Sequence, residues 1–113
     1  MSARALVVAL SCIVAACGYV NATSTQYIGG PSFPPTDPKS VQVLPGEPKE
    51  RFDRLGEVLL DISVDPAPPK EDIEQRLREE SAKWGANAVY VVQNVITPNR
   101  EHRLVAIAIR YRQ

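Results

Sequence analysis

Nine of the ten prolines in this 113-residue chain fall between Pro31 and Pro69, and that clustering constrains the fold more than any other feature. Proline lacks the amide hydrogen that helix interiors and central strands need, so the clustered prolines dilute regular structure across that stretch. Order is therefore expected to concentrate in the C-terminal half. The length leaves room for one small domain. Thirteen Lys+Arg balance thirteen Asp+Glu, which argues against the basic footprint of a DNA or RNA partner.

The N-terminus reads as an address and an anchor. Arg4 precedes an uncharged apolar run from Ala5 to Ala16. That run is shorter than the roughly 20 residues of a membrane-spanning helix, so residues 1–16 read as a secretory signal peptide. Its end, Val14-Ala15-Ala16-Cys17, resembles the bacterial lipobox. The resemblance implies cleavage before Cys17 and a thioether-linked lipid, with fatty acyl chains such as palmitate, on its sulfur. Two or three acyl chains hold a protein to a bilayer essentially permanently, because each buried methylene contributes about 0.8 kcal/mol. Cys12 would leave with the signal peptide, so no internal disulfide is expected. Gly18 lacks the acidic character that the enterobacterial sorting pattern uses for inner-membrane retention, which favours the outer membrane, facing the periplasm.

Residues 17–38 have linker composition: no charge before Asp37, Gly29-Gly30, then Pro31, Pro34, Pro35 and Pro38. The expectation is a flexible, Pro-rich tether. A coil of this length averages roughly 25 Å end to end and extends to roughly 65 Å.

Residues 39–113 carry the periodic patterns. Val41 and Val43 alternate with Gln42 as a short strand, and Leu55 to Val64 alternates as a longer one, with Val58, Leu60, Ile62 and Val64 on its core face. Lys70 to Trp84 reads as the one helix, with Ile73, Leu77, Ser81, Ala82 and Trp84 along one stripe and Gly85 as its left-handed cap. Two strands follow, Ala88 to Gln93 and Leu104 to Arg112, with a turn at Thr97-Pro98-Asn99-Arg100. The expected architecture is an α+β two-layer domain, strand-strand-helix-strand-strand, with the helix on a four-stranded, mainly antiparallel sheet.

The segment LREESAKWGANAVYVV, Leu77 to Val92, resembles a Leu-x-x-x-Ala-x-x-x-Gly-Ala-Asn-Ala-Val signature. It is shared by the outer-membrane stress-sensor lipoproteins of the Rcs phosphorelay and related small lipoproteins. Leu55-Gly56-Glu57-Val58 is similar to the strand start in those proteins and in a small heavy-metal-binding family of similar fold. The matching residues have structural work: Gly85 reverses the chain, Ala86 and Ala88 admit close approach of helix to sheet, and Asn87 satisfies backbone groups at the turn. The resemblance implies a stress-sensing lipoprotein. The chain departs from it in lacking the disulfides that hold the sensor domain, and it offers no thiol or His cluster for a metal.

No site for chemistry emerges from the residues. His102 is the single histidine, and Asp61, Ser63 and Asp65 share a strand face by alternation rather than as a metal trio. Glu71, Glu74, Glu79 and Glu80 interleave with Arg76, Arg78 and Lys83 as a solvated helix face. No catalytic, cofactor-binding or metal-ligating residue is assigned and no cofactor is expected. Cys17 is the modification site. Arg100, Arg103, Arg110 and Arg112 form a basic edge on the last hairpin, read either as protection against edge pairing or as a candidate docking surface for an envelope protein or lipid headgroups. The function expected is a non-enzymatic, membrane-anchored envelope lipoprotein acting as an interaction or stress-sensing module, the alternative being an envelope protein that binds a metal or small ligand.

Overall fold

The structure, a computed structural model, describes residues 18–112. Its class is α+β. Strands β1 (Val20–Gln26), β2 (Gln42–Leu44), β3 (Phe52–Ile62), β4 (Ala88–Ile96) and β5 (His102–Tyr111) form one sheet, with helix α1 (Lys70–Ala82) across one face. The strand order is β1-β3-β5-β4-β2. All neighbours are antiparallel except β2 and β4, which run parallel. The sheet thus has five strands where four were expected, and it is mixed, mainly antiparallel with the one parallel pair.

The additional strand comes from the segment read as tether. Val20, Ala22 and Ser24 alternate inward with Asn21, Thr23 and Thr25 outward, and seven residues of β1 pair with β3 from Val20↔Ile62 to Gln26↔Gly56. Its short polar side chains resemble coil in composition, but an edge strand gains its hydrogen bonds from its neighbour, and Thr and Val suit the pleat. The Pro-rich run that follows is strapped across the end of α1. Thr36 donates its backbone N–H to Ala82 O at 2.9 Å and its hydroxyl to Ala86 O at 2.6 Å. Phe33 covers the buried Ala86, and the Arg110 guanidinium stacks 4.6 Å from the Phe33 ring centroid. A short 3-10 turn, Pro38–Ser40, then leads into β2.

The helix forms where acidic residues at Glu71 and Asp72 meet its positive N-terminal end, directly after Pro69, which is the N-cap. It closes in a Schellman arrangement: Ala86 N–H donates to Ser81 O at 3.3 Å, and Gly85 N–H to Ala82 O at 3.0 Å. Gly85 has φ +82°, and a Cβ there would lie 2.6 Å from both Phe33 Cβ and Pro34 O. Only glycine meets both demands. Gly56 has a related reason, since a Cβ would lie 2.6 Å from the Trp84 ring lying over β3.

The core lies between helix and sheet and joins Val41, Val58, Leu60, Ile62, Leu77, Val89, Leu104 and Ala106. Ala86 sits close beneath Phe33 and Trp84 as expected, whereas Ala88 belongs to the opposite face with Tyr90 and Ile109. Asn87 ties the turn to the sheet instead of satisfying the turn's own backbone, its Oδ1 accepting from Tyr111 N–H at the end of β5 at 3.0 Å. A bulge between Val91 and Gln93 turns Val92 outward and lets β4 run on to Ile96, beyond the expected end at Gln93.

Glu80 corrects the reading of a wholly solvated charged face. It is buried, 7 % exposed, and accepts the Ser24 hydroxyl at 2.6 Å and Lys83 Nζ at 2.8 Å, with Arg76 Nε 3.6 Å away. Burial alone would raise its pKa, but the hydrogen bonds from Lys83 and Ser24, with the two nearby cations, outweigh it and hold the carboxyl below its ordinary value.

Candidate functional site

Strand alternation gives the sheet a second face, away from α1, and that face is built largely from aromatic and aliphatic side chains. From β4 and β5 come Tyr90, Ile107, Ile109 and Tyr111, and from β3 and β2 come Phe52 and Leu44, the buried members being Tyr90 and Ile109. Phe52 and Tyr90 meet edge to face, with centroids 5.8 Å apart at 65°. Arg54 bridges them: its Cζ lies 5.7 Å from the Phe52 centroid and its Nε donates to Tyr90 Oη at 3.3 Å. The Tyr90 hydrogen bond pushes the guanidinium pKa further up from its ordinary value, so the charge on this face is permanent. Glu47 pairs with Arg54 at 3.3 Å, both exposed. Tyr27, which follows β1, flanks the patch, and burial followed by the Glu57 carboxylate pushes its phenol above the ordinary value. Aromatic side chains around an arginine are the composition that anchors protein interfaces.

The four arginines singled out from sequence do not form one surface. β5 is the central strand, paired on both sides, so they do not protect an edge. Arg110 donates to Gly85 O at 2.9 Å and stacks on Phe33, and Arg112 binds Asp53 at 2.8 Å, both at one end of the sheet. Arg100 and Arg103 lie at the other end, each 3.5 Å from its acidic neighbour, Asp65 and Asp61 respectively. Seven residues of strand, roughly 23 Å, separate Arg103 from Arg110. Arg100 itself has φ 62° in the hairpin Thr97–Glu101. Cys17 lies outside the described residues.

Ser63, read from alternation as sharing a face with Asp61 and Asp65, is buried, while both aspartates are exposed. The Ser63 hydroxyl donates to Pro66 O at 2.7 Å and accepts from Tyr19 N–H at 2.8 Å. His102 pairs with Asn94 Oδ1 at 2.6 Å. Among the described residues no group of three or more His, Cys, Asp or Glu is placed to hold a metal ion. The described surface carries a polar depression of about 570 Å³ bordered by Tyr19, Asp61, Asp65, Arg100 and Arg103, and a more apolar one of about 520 Å³ between α1 and the β2–β4 edge, bordered by Val43, Ile73, Leu77, Val91 and Leu104.

Sequence reasoning missed the aromatic face as a surface because a hydrophobic strand position looks the same whether a helix covers it or not. The signal available was an excess: β5 alternates apolar residues on both faces, and one helix can cover only one of them.

No family model matches the chain, and no curated protein matches it. Among solved structures it is similar to a Francisella virulence factor, FvfA, in a crystal structure of its orthorhombic form. The likeness has a TM-score of 0.55 at 16% sequence identity and covers 80% of this chain and 97% of that one. At that identity it speaks for the fold alone.

Proposed function

We propose that this protein is a lipid-anchored lipoprotein of the bacterial envelope, moored through Cys17 in the outer membrane and facing the periplasm, whose α+β domain acts without catalysis as an interaction or stress-sensing module. The observation that carries the interaction reading is the aromatic face opposite α1, where half-buried Phe52 and Tyr111 and the exposed Arg54 surround the buried Tyr90. Such a face supplies rigid aromatic edges and one fixed cation, which suits recognition of another protein. The lipobox-like Val14-Ala15-Ala16-Cys17 supports the anchoring, and the Gly85-Ala86-Asn87 signature supports kinship with the Rcs stress-sensor class.

A photo-crosslinking residue placed at Phe52 in cells should yield a discrete protein adduct in intact envelopes, while one placed at Glu71 on the outer side of α1 should not. Absence of any adduct from the sheet face would contradict the module reading. The alternative, capture of a metal or small ligand, predicts instead that a divalent metal stabilises the domain progressively, with a dissociation constant of about micromolar or below.

A further inference from the structure

Gly18 and Tyr19 are already part of the fold. Gly18 lies so close to the loop after β3 that a Cβ there would be 2.6 Å from Pro66 O and Ser63 Oγ. Tyr19 exchanges two hydrogen bonds with Ser63: its N–H donates to Ser63 Oγ at 2.8 Å, and its carbonyl accepts from Ser63 N–H at 3.0 Å. Val20 is already paired with Ile62. Resting on the reading that Cys17 is acylated, these contacts leave no spacer between lipid and domain. Adjacent Cα atoms are about 3.8 Å apart, so Gly18 lies within roughly 10 Å of the lipid glycerol. The headgroup layer is itself roughly 5–7 Å deep on each side of the hydrocarbon.

One end of the sheet is thereby brought to the bilayer. The row Val20, Ile62, His102 and Ile96 marks that end across β1, β3, β5 and β4, and beyond it lie the loop Ser63–Pro69 and the hairpin Thr97–Glu101. It exposes the side chains an interface wants: Tyr19 at 58 %, Ile96 at 61 % and Val95 at 41 %, with Arg100 and Arg103 beside them. Tyrosine and apolar tips settle at headgroup depth, while arginine stems reach the phosphates. Asp61 and Asp65 offset the two arginines and the exposed Glu101 adds a further carboxylate, so the contact does not depend on anionic lipid.

We infer that this end, with the Thr97–Glu101 hairpin at its tip, docks on the phospholipid headgroups of the leaflet that holds the anchor. The sheet then stands on the membrane by its β4–β5 hairpin, and its far end, near Glu50, is held roughly 35 Å above, the span of β3. The short connection supplies the contact, by keeping the end at high effective concentration against the lipid.

The test uses the full-length acylated protein, purified from membranes and reconstituted into phosphatidylcholine vesicles containing a headgroup nitroxide lipid. Cys17 is blocked by its thioether, so a fluorophore can be placed through Asn99→Cys or, as the far-end control, Glu50→Cys. The label at 99 should be quenched about three-fold or more over the label at 50, given their depth difference. Equal, weak quenching at both, in protein that floats with the vesicles, would overturn the docking while leaving the anchor intact. Protein that carries no acyl mass and does not float would overturn both. A flexible Gly/Ser spacer inserted between Cys17 and Gly18 should lower the quenching at 99 to the level at 50 with flotation unchanged. Undiminished quenching would overturn the assignment of the contact to the short connection.

Discussion

Glu80 shows how a single side chain reports on the whole arrangement. On helical spacing alone it belongs with Glu71, Glu74 and Glu79 on a solvated face, and it leaves that face because Ser24 of β1 closes over it. A carboxylate that keeps three partners while losing its water stays ionised, and removing its charge forfeits both ion pairs, with Lys83 and Arg76. Because its folded pKa lies below its unfolded value, its contribution to stability is complete above 4.5, the ordinary glutamate value, and is lost as pH falls through the lowered folded value. Urea midpoints should therefore fall through the acid range in the native chain. Glu80→Gln should flatten that acid limb and cost about 1–3 kcal/mol at neutral pH, read from the same midpoints. An unchanged acid limb in the variant would show that Ser24 and Lys83 do not hold the charge.

At the level of elements, what could be read from the sequence was whatever carried its own period. The stripe Ile73, Leu77, Ser81 and the alternation of β3 and β5 are intrinsic to their segments, and each appears within a few residues of its expected place. β1 and the Phe33–Thr36 strap carry no such period. Their order comes from partners distant in sequence: β3 for the one, and the last carbonyls of α1 for the other. Val92 escaped the alternation for a different reason, because a bulge resets the period where it occurs. Packing of helix on sheet centres on Leu77, fully buried among Val58, Leu60 and Val89. Leu77→Ala should cost about 2–5 kcal/mol, a large share of the stability of a domain this size, seen as a lowered urea midpoint with unchanged slope. A midpoint that barely moves would contradict the two-layer packing.

Taken as a whole molecule, the domain is larger than the 39–113 unit expected from composition, because the proline-rich segment is part of it. A chain truncated to residues 39–113 loses the neighbour of β3, the Ser24 contact to Glu80 and the cover over Ala86. It should show no cooperative thermal transition by circular dichroism, whereas a chain beginning at Gly18 should unfold in one step. Equal melting of the two would return residues 18–38 to the role of a tether. The candidate site was only half legible on the same physical grounds. A lipobox-like run such as Val14-Ala15-Ala16-Cys17 is a local pattern that can be read directly, while the aromatic face and the split of the four arginines exist only once strands are ordered as β1-β3-β5-β4-β2.

The proposal that the protein works from a lipid mooring is met most directly by intact-mass and N-terminal fragment spectrometry of the protein taken from the membrane fraction. The account predicts a mature chain whose first residue is Cys17, its sulfur bearing a diacylglyceryl group, with Gly18 next. A mature chain that begins elsewhere, or one recovered in the soluble fraction with a free thiol at Cys17, would contradict it.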